Sequence, residues 1–276
     1  MDNRPIGFFD SGLGGLTCIP YLMRELPREK IIYFGDTART PYGSKAIGTI
    51  RNFSREIADF LVKSDVKMIV IACNTVSATC MEDLQKRFPD IPIIGIIEPA
   101  AKKAAETCKT NSNLGIIGTK VTIGAHAYRD TISKYNSFLN IFEHPCPAFV
   151  PLIEEGIIDN EIMDLTIRYY MDSFVRDNKL DTVILGCTHY PLIKENITRL
   201  YPHLTVINPS SIVVSRIHHV LEDNDMLAED SEFTNVFYAS DLSENFLNMI
   251  DHIFADEEED KKVKFLNFEF EKDNMK

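Results

Sequence analysis

Two apolar segments that each end in a cysteine constrain the fold of this chain most. They are Met68–Thr75 and Thr182–His189, and in each an unbroken, mostly β-branched run passes through a small residue into Cys73 or Cys187. A run without alternation is typical of a strand that is buried on both faces of a parallel sheet. In open α/β sheets, ligands bind at the carboxyl ends of the strands. The sequence therefore predicts two equivalent strands that present two thiols at ligand-binding edges.

Two such thiols can act as a base and an acid on opposite sides of one substrate. The reference pKa of a thiol is about 8.5, and a thiolate forms readily beside a helix N-terminus or a proton acceptor. His189 lies two residues after Cys187 and can hold a proton for it, and Asp10 is the candidate to do so for Cys73. A single cysteine is more often a small buried hydrophobe, but the near-repeat and its polar flanks favour a function for this pair.

The charge balance of the chain narrows the class of ligand. The 276 residues carry 29 Lys and Arg against 41 Asp and Glu, a formal net charge of -12, and no basic stripe is visible. Because a nucleic-acid backbone requires such a stripe, we expect a small-molecule ligand and no nucleic acid. No apolar segment resembles a signal peptide or reaches the roughly 20 residues that span a bilayer. We therefore expect a cytoplasmic protein without a membrane partner.

The six cysteines are spread through the chain without a C-x-x-C pair, so free thiols are expected. His144 and Cys146 come closest to a metal-binding pattern but lack further ligands, and no metal site is predicted. Thiol redox chemistry is also disfavoured. Cysteines on opposite walls of a substrate cleft are not expected to approach the Cα separation of about 5.5–6 Å that a disulfide usually has.

Two turns early in the chain carry further candidate site residues. The apolar strand Pro5–Phe9 runs into Asp10–Gly15, where glycines permit a tight turn, but the spacing is not that of a phosphate-binding loop. An aspartate here would repel a phosphate, whereas it can hydrogen-bond an ammonium group or tune a thiol. The second turn contains Tyr42–Ser44, whose backbone N–H groups are predicted to form a carboxylate-binding corner, with Ser44 as the N-cap of the next helix.

The strand pattern begins again in the middle of the chain, which indicates two α/β halves with one cysteine each. Thr119 precedes Cys187 by 68 residues, much as Ser11 precedes Cys73 by 62. The predicted domains are residues 1–98 plus 209–276, which carry the first cysteine, and residues 99–208, which carry the second.

The spacing of apolar residues between the strands predicts the helices. Examples are one helix at about 77–88, an alanine-rich helix after Pro99, one at about 120–133 and one at about 161–176. A last strand is expected at Asn235–Ser240. The acidic run that begins at Asp256 is expected to be solvated surface without chemistry.

Four sequence strings carry a specific resemblance to a known enzyme family. They are GFFDSGLGGLT at 7–17, YFGDTARTPYGSK at 33–45, ACNTVSA at 72–78 and LGCTHYPL at 185–192. They resemble strings of the glutamate racemases, cofactor-independent members of the aspartate/glutamate racemase family that supply D-glutamate for peptidoglycan. The resemblance extends from about residue 5 to residue 240. It implies two similar three-layer α/β domains with mostly parallel sheets, related by a pseudo-twofold axis, with the active site in the cleft between them.

The resemblance also implies roles for individual residues. Cys73 would exchange the α-proton of D-glutamate and Cys187 that of L-glutamate. Asp10, His189 and Glu154 match auxiliary acid/base positions. The substrate-binding positions of the family are matched by Asp10, Ser11, Pro41, Tyr42, Gly43, Ser44, Asn74, Thr75, Thr119, Thr122, Thr188 and His189. No cofactor and no metal are implied, and a homodimer is the expected assembly.

Two thiols alone do not select the side chain of the substrate, so two other interpretations stay open. One is a racemase of aspartate or of another acidic amino acid. The other is a two-lobed amino-acid-binding protein in which the thiols are passive. An assay of glutamate against aspartate separates the first from a glutamate racemase, and racemisation by the purified protein excludes the second.

Overall fold

The computed structural model of the protein describes residues 1–229, 234–241, 243, 244, 247, 248, 250 and 265–267. The strands are β1 Ile6–Asp10, β2 Ile31–Gly35, β3 Met68–Ile71, β4 Ile93–Gly95, β5 Asn113–Gly118, β6 Asn140–Pro145, β7 Thr182–Gly186, β8 Thr205–Ile207, β9 Val236–Ala239 and β10 Phe265–Asn267. The helices are α1 Ile19–Glu25, α2 Ile47–Lys63, α3 Asn74–Thr79, α4 Met81–Arg87, α5 Ile97–Thr107, α6 Lys120–Gly124, α7 Ala127–Tyr135, α8 Phe149–Glu154, α9 Glu161–Asn178, α10 Lys194–Leu200 and α11 Pro209–Asp223. Short 3-10 helices lie at Gly14–Cys18, Thr37–Arg39, Tyr42–Ser44 and Tyr190–Ile193.

The described strands form two sheets in which every pairing is parallel. The first sheet has the order β10-β9-β2-β1-β3-β4, and the second has the order β6-β5-β7-β8. The order β2-β1-β3-β4 in the first sheet is repeated as β6-β5-β7-β8 in the second. β1 therefore corresponds to β5 and β3 to β7, so the predicted repeat of two parallel α/β units is confirmed. Each of the two cysteines follows the third strand of its unit.

Alternation along the strands gives the first sheet two buried faces. Phe8 and Val70 lie on one face, in a core that continues into the second sheet, whereas Phe9 and Ile71 lie on the other face, in a second core with α2 and α4. All four side chains are fully buried. Burial of one such side chain contributes about 1.5–3 kcal/mol, so both faces hold the sheet in place. The first sheet is thus the middle layer of three, as predicted.

Helices α5 and α11 join the two sheets. α5 leads from β4 in the first sheet to β5 in the second, and α11 follows β8 on the way back to β9. The two helices pack against each other, and both belong to the apolar core that contains residues of both sheets. The two units are therefore packed together where the chain crosses between them.

Three helix predictions differ from the structure. The helix predicted at 77–88 is the pair α3 and α4, which meet at Cys80. The helix predicted at 120–133 is the pair α6 and α7, interrupted where His126 adopts a left-handed φ of 55°. A left-handed residue ends a helical turn, and apolar spacing does not reveal it. Helix α5 begins at Ile97, before Pro99, because the first turn of a helix tolerates a proline, whose missing N–H would have no partner there.

The remaining predictions on the fold have mixed outcomes. The long helix expected at 161–176 is confirmed as α9, and a strand at Asn235–Ser240 is confirmed as β9. The prediction that this strand is the last one is wrong, because β10 pairs with it at the edge of the first sheet. The acidic run that begins at Asp256 lies outside the described residues. The domain boundaries at residues 98 and 208 stay a prediction. None of the described helices combines the length and the apolar character that a bilayer crossing requires.

Candidate active site

The carboxyl ends of strands from both sheets meet at one place. The Thr188 hydroxyl, after β7, donates to Asp10 Oδ1 at the end of β1 over 3.3 Å. The hydroxyls of Thr75, after β3, and Thr119, after β5, lie 3.1 Å apart. These contacts bring the predicted polar residues of the two units together around the cysteines. The site lies at the edge that the topology of open α/β sheets favours for ligands.

Asp10 is a fully buried carboxylate that the glycine-rich turn surrounds. Its Oδ2 accepts the backbone N–H groups of Gly12 at 3.2 Å and Gly15 at 3.1 Å. A Cβ at Gly15 would lie 2.6 Å from Asp10 Cβ, so only glycine fits there. Burial raises the pKa of Asp10, although the charge of His189 and these N–H groups act in the opposite direction. The turn therefore serves a carboxylate of the protein rather than a phosphate ligand.

Cys73 lies two residues past the end of β3, directly before α3, and its side chain is buried. Its Sγ donates to Ser11 Oγ over 3.4 Å. Burial raises the pKa of Cys73 to about 12, and the negative charge of Asp10 acts in the same direction. At neutral pH this residue is therefore a protonated thiol that can give up a proton.

Cys187 has different neighbours. Its Sγ lies 3.9 Å from His189 Nδ1, and His189 Nε2 lies 3.1 Å from Glu154 Oε1, at the end of α8. Burial alone lowers the pKa of His189, but the contacts with Cys187 and Glu154 outweigh burial and raise the pKa to about 10. At neutral pH the ring is therefore an imidazolium, which donates one N–H towards the sulfur and the other to the carboxylate.

The two thiols thus form an asymmetric pair. Cys73 carries its proton, whereas Cys187 lies beside the imidazolium of His189. Negative charge on Cys187 is itself one of the causes that raise the pKa of Cys73. Both cysteines are free thiols. In the described part of the chain, no three His, Cys, Asp or Glu side chains are grouped so that they could hold a metal ion. Chemically, such a pair can supply a proton donor, Cys73, and a proton acceptor, Cys187, to a substrate bound between them.

Three hydroxyl groups form a triangle between the two units. The Oγ1 atoms of Thr75, Thr119 and Thr122 lie 3.0–3.1 Å from one another, and Thr119 Oγ1 also accepts the N–H of Thr122 at 3.2 Å. Hydroxyls can turn their protons from one another to a ligand. A carboxylate placed beside them would accept these hydrogen bonds.

Asn74 adds a further donor next to Cys73. Its side chain is buried, and Oδ1 accepts the hydroxyl of Tyr128 over 2.7 Å. Nδ2 is buried without a hydrogen-bond partner among the described residues. Because buried polar groups are nearly always paired, this NH2 group is available for a ligand.

The turn at Pro41–Ser44 reaches the site only in part. Gly43 packs so closely on the second unit that a Cβ there would lie 2.4 Å from Thr119 Cβ. Tyr42 is buried, but its hydroxyl points to Asp36, to which it donates. Pro41 and Ser44 are exposed. The prediction that Ser44 caps the next helix is wrong, because α2 begins at Ile47 with Ala46 in the capping position. The turn forms its own 3-10 helix instead.

Gly14 and Thr17, which were not predicted as site residues, pack against the loop formed by residues 187–189, here called the Cys187 loop. A Cβ at Gly14 would lie 2.4 Å from Thr188 Oγ1 and 2.6 Å from His189 Nδ1. The hydroxyl of Thr17 contacts the carbonyl oxygens of Gly14 at 2.7 Å and Thr188 at 3.2 Å. Both residues lie in the string GFFDSGLGGLT at 7–17, so the resemblance to the racemases could have indicated them. Tyr128, which holds Asn74, gave no such signal, because it lies outside all four strings.

This geometry agrees with the comparison with known proteins. The sequence profile of the Asp/Glu/Hydantoin racemase family matches residues 18–217. The chain belongs to this racemase family. The resemblance and the fold class predicted from the sequence are therefore confirmed.

Several racemases of known name are similar over most of this chain. The glutamate racemase of Persephonella marina is 47% identical over 205 residues, which are 74% of this chain and 78% of the relative. The glutamate racemase of Hydrogenobaculum sp. is 37% identical over 264 residues, 96% of this chain and 97% of the relative. The crystal structure of glutamate racemase from Francisella tularensis subsp. tularensis SCHU S4, in complex with D-glutamate, has a TM-score of 0.88 and 36% identity, and the match covers 96% of this racemase and 98% of that chain.

Proposed function

We propose that this protein is a glutamate racemase that interconverts L- and D-glutamate without a cofactor. The observation that carries the proposal is the pair Cys73 and Cys187, a protonated thiol and a thiol beside an imidazolium, at matching strand ends of two units. The names of its relatives support glutamate as the substrate, and one of them was crystallised with D-glutamate.

The two thiols divide the reaction between them. In the direction from L- to D-glutamate, the thiolate of Cys187 takes the α-proton, and the electron pair of the broken C–H bond stays on the substrate as a carbanion next to its carboxylate. Cys73 then gives its S–H proton to the opposite face and becomes the thiolate. The reverse reaction exchanges these roles. The assignment of each cysteine to one enantiomer follows the resemblance.

The surrounding residues keep protons in place. Cys187, His189 and Glu154 are connected in series by their contacts, so the imidazolium can stabilise the Cys187 thiolate before it takes the substrate proton. Ser11 Oγ accepts a hydrogen bond from the Cys73 thiol, and negative charge on Asp10 raises the pKa of that thiol. We propose that these groups are auxiliary and that the two sulfurs make and break the bonds.

Polar groups between the thiols are proposed to bind the substrate. Most of them carry a hydroxyl, amide, ring N–H or backbone N–H group that can donate to a carboxylate, since the substrate has two carboxylates and one ammonium group. Asp10 is instead an acceptor that suits the ammonium group, and Pro41, which has no N–H, can only contact the substrate. The proposed set is Asp10, Ser11, Pro41, Tyr42, Gly43, Ser44, Asn74, Thr75, Thr119, Thr122, Thr188 and His189. Of these, the exposed Pro41 and Ser44 have the weakest geometric support.

Racemisation by purified protein tests the proposal. The expected result is conversion of L-glutamate to D-glutamate in buffer with no added cofactor, followed by circular dichroism or a D-glutamate-specific coupled enzyme. Faster turnover of L-aspartate than of L-glutamate would assign the protein to aspartate instead. Binding of glutamate without turnover would identify an amino-acid-binding protein.

Three further properties are proposed together with this function. The product D-glutamate would serve peptidoglycan synthesis, the protein would act in the cytoplasm, and the assembly would be a homodimer. The exposed apolar side chains Ile162, Leu165 and Tyr169, on one side of α9, offer a surface for a second copy. Sedimentation velocity of the purified protein measures the assembly, and a monomer at micromolar concentration would contradict the dimer.

A further inference from the structure

Tyr128 contacts residues at the ends of both β3 and β7, the strands that lead to Cys73 and Cys187, although it lies on a different element. It is on α7 of the second unit and is 1% exposed. Its hydroxyl crosses to the first unit and donates to Asn74 Oδ1 over 2.7 Å, next to Cys73. Its ring lies beside the end of β7, where a Cβ at Gly186 would be 3.4 Å from Tyr128 Cε2. The residue therefore contacts the surroundings of both thiols.

The hydrogen bond decides which end of the Asn74 amide faces the ligand. An amide has an acceptor end and a donor end of nearly the same shape, and its orientation is set by its partners. With Oδ1 on the Tyr128 hydroxyl, the buried and unpaired Nδ2 is left for the ligand. In the reversed orientation the Tyr128 oxygen could accept from Nδ2, but its O–H would have no acceptor among the described residues, and a carbonyl oxygen would face an anionic substrate.

We propose that Tyr128 is a positioning residue that holds the Asn74 amide with its NH2 group towards the substrate, so that this side chain presents a hydrogen-bond donor rather than an acceptor to a carboxylate. The proposal rests on the proposed function, because it assumes an acidic amino acid as the ligand. In this proposal Tyr128, a residue of the second unit, supports substrate binding next to Cys73, the thiol of the first unit.

Removal of the hydroxyl has a defined consequence. In Tyr128→Phe the ring keeps its packing, but both orientations of Asn74 become available, and only one of them is competent to bind. Because apparent affinity falls with the competent fraction, and the freed amide also lacks a partner, KM for both enantiomers is expected to rise about three- to tenfold. kcat is expected to change less than KM, since no atom that transfers a proton is removed.

A matched control separates positioning from general loss of stability. Tyr201→Phe also removes a hydroxyl from a side chain that is only 6% exposed, where it donates to Asp172 Oδ1 over 2.6 Å on α9. This variant is expected to lower the melting temperature without a change in KM. An equal rise of KM in both variants would show that Tyr128 acts only through stability and would overturn the proposal.

A double-mutant cycle tests whether Tyr128 acts through Asn74. Asn74→Ala removes the amide, so adding Tyr128→Phe to it should leave KM within about twofold of the Asn74→Ala value. Additive effects of the two substitutions on KM, or an unchanged KM in Tyr128→Phe alone, would overturn the proposal.

An NMR measurement on the wild-type protein tests the orientation of the amide by ligand binding rather than by kinetics, and without a Tyr128 variant. In protein labelled with 15N-asparagine, the side-chain NH2 pair that disappears in Asn74→Ala is expected to shift when D-glutamate or D-aspartate is added. An NH2 pair that does not respond to either amino acid at saturation would overturn the proposal. Failure of the wild type to racemise glutamate would instead reject the proposed function, and the NMR result would remain informative for the amide.

Discussion

Cys73 and Cys187 follow corresponding strands, yet single neighbouring residues make them chemically different. Cys73 has a hydroxyl, from Ser11, and a nearby carboxylate, whereas Cys187 has the ring of His189. A hydroxyl leaves the proton on sulfur, and an imidazolium stabilises the thiolate. The neighbours of Cys73 thus favour a proton donor, and those of Cys187 favour a proton acceptor.

The first prediction at the residue scale concerns Glu154. The contact with Glu154 is one of the two that raise the pKa of His189 to about 10, so the imidazolium persists below that pH and is lost above it. Glu154→Gln removes one cause, so the upper limb of the kcat/KM profile for L-glutamate should move to lower pH. The ammonium group of free L-glutamate also titrates in this pH range, but it does so identically in assays of the variant and of the wild type. The difference between their two pH profiles therefore reports on the protein.

The neighbouring Glu155 provides the control for that experiment. It is exposed, and Glu155→Gln should leave the pH profile in place. Superimposable upper limbs for Glu154→Gln and the wild type would show that the carboxylate does not hold the charge of His189.

At the scale of elements, the close contact between the glycine-rich turn and the Cys187 loop yields a second prediction. In Gly14→Ala the new Cβ would meet Thr188 Oγ1 at 2.4 Å and His189 Nδ1 at 2.6 Å, so the loop must shift. A displacement of about 1 Å at a catalytic group can lower the rate about 100-fold, and we expect kcat to fall by about that factor. Steady-state kinetics in both directions measure it.

Gly48 is the matched control for this substitution. It lies near the start of α2, and apart from its chain neighbours and the backbone of its own helix no described atom lies within 4 Å of an added Cβ. Gly48→Ala should keep full activity and an equal or higher melting temperature, because alanine favours helix over glycine. A fully active Gly14→Ala protein would mean that the loop does not need its present position.

Part of the arrangement of strands and helices could be predicted from the sequence. Apolar runs predicted the parallel strands, their repeat and the placement of both cysteines, because a strand that is buried on both faces is apolar at nearly every position. The breaks at Cys80 and His126 did not, since they depend on backbone conformation rather than on apolar spacing. The role of Tyr128 also could not be predicted. Its partner lies 54 positions away, and only the fold brings the two together.

At the scale of the whole molecule, a buried ion pair ties distant segments of the first unit. Lys67 Nζ lies 2.6 Å from Glu29 Oε2, with side chains 0% and 2% exposed, and also donates to the carbonyl oxygens of Asp2 and Met226. Glu29 Oε1 accepts the N–H of Ala228 at 2.8 Å. The N-terminus, the approach to β2 and the segment after α11 thus meet at one pair of charges.

The third prediction follows from this pair. Lys67→Met leaves the carboxylate buried without its cation and should lower the free energy of unfolding by about 3–5 kcal/mol. Chemical denaturation measures it. The exposed pair Lys86 and Glu82, with side chains 79% and 87% exposed, is the control, and Lys86→Met should change stability by less than about 1 kcal/mol. Equal effects of the two substitutions would contradict the role given to the buried pair.

The opposed acid/base pair is the central claim, and the origin of the product's α-hydrogen tests it most directly. The reaction starts from protiated L-glutamate in D2O, and mass spectrometry analyses both enantiomers at low conversion. Because Cys73 carries solvent deuterium while Cys187 removes the substrate proton, D-glutamate should contain deuterium from the first turnovers, and the remaining L-glutamate should keep its hydrogen. D-glutamate that retains mostly hydrogen at that stage would mean that one base serves both faces, which would contradict the assignment of Cys73 and Cys187 as an opposed pair.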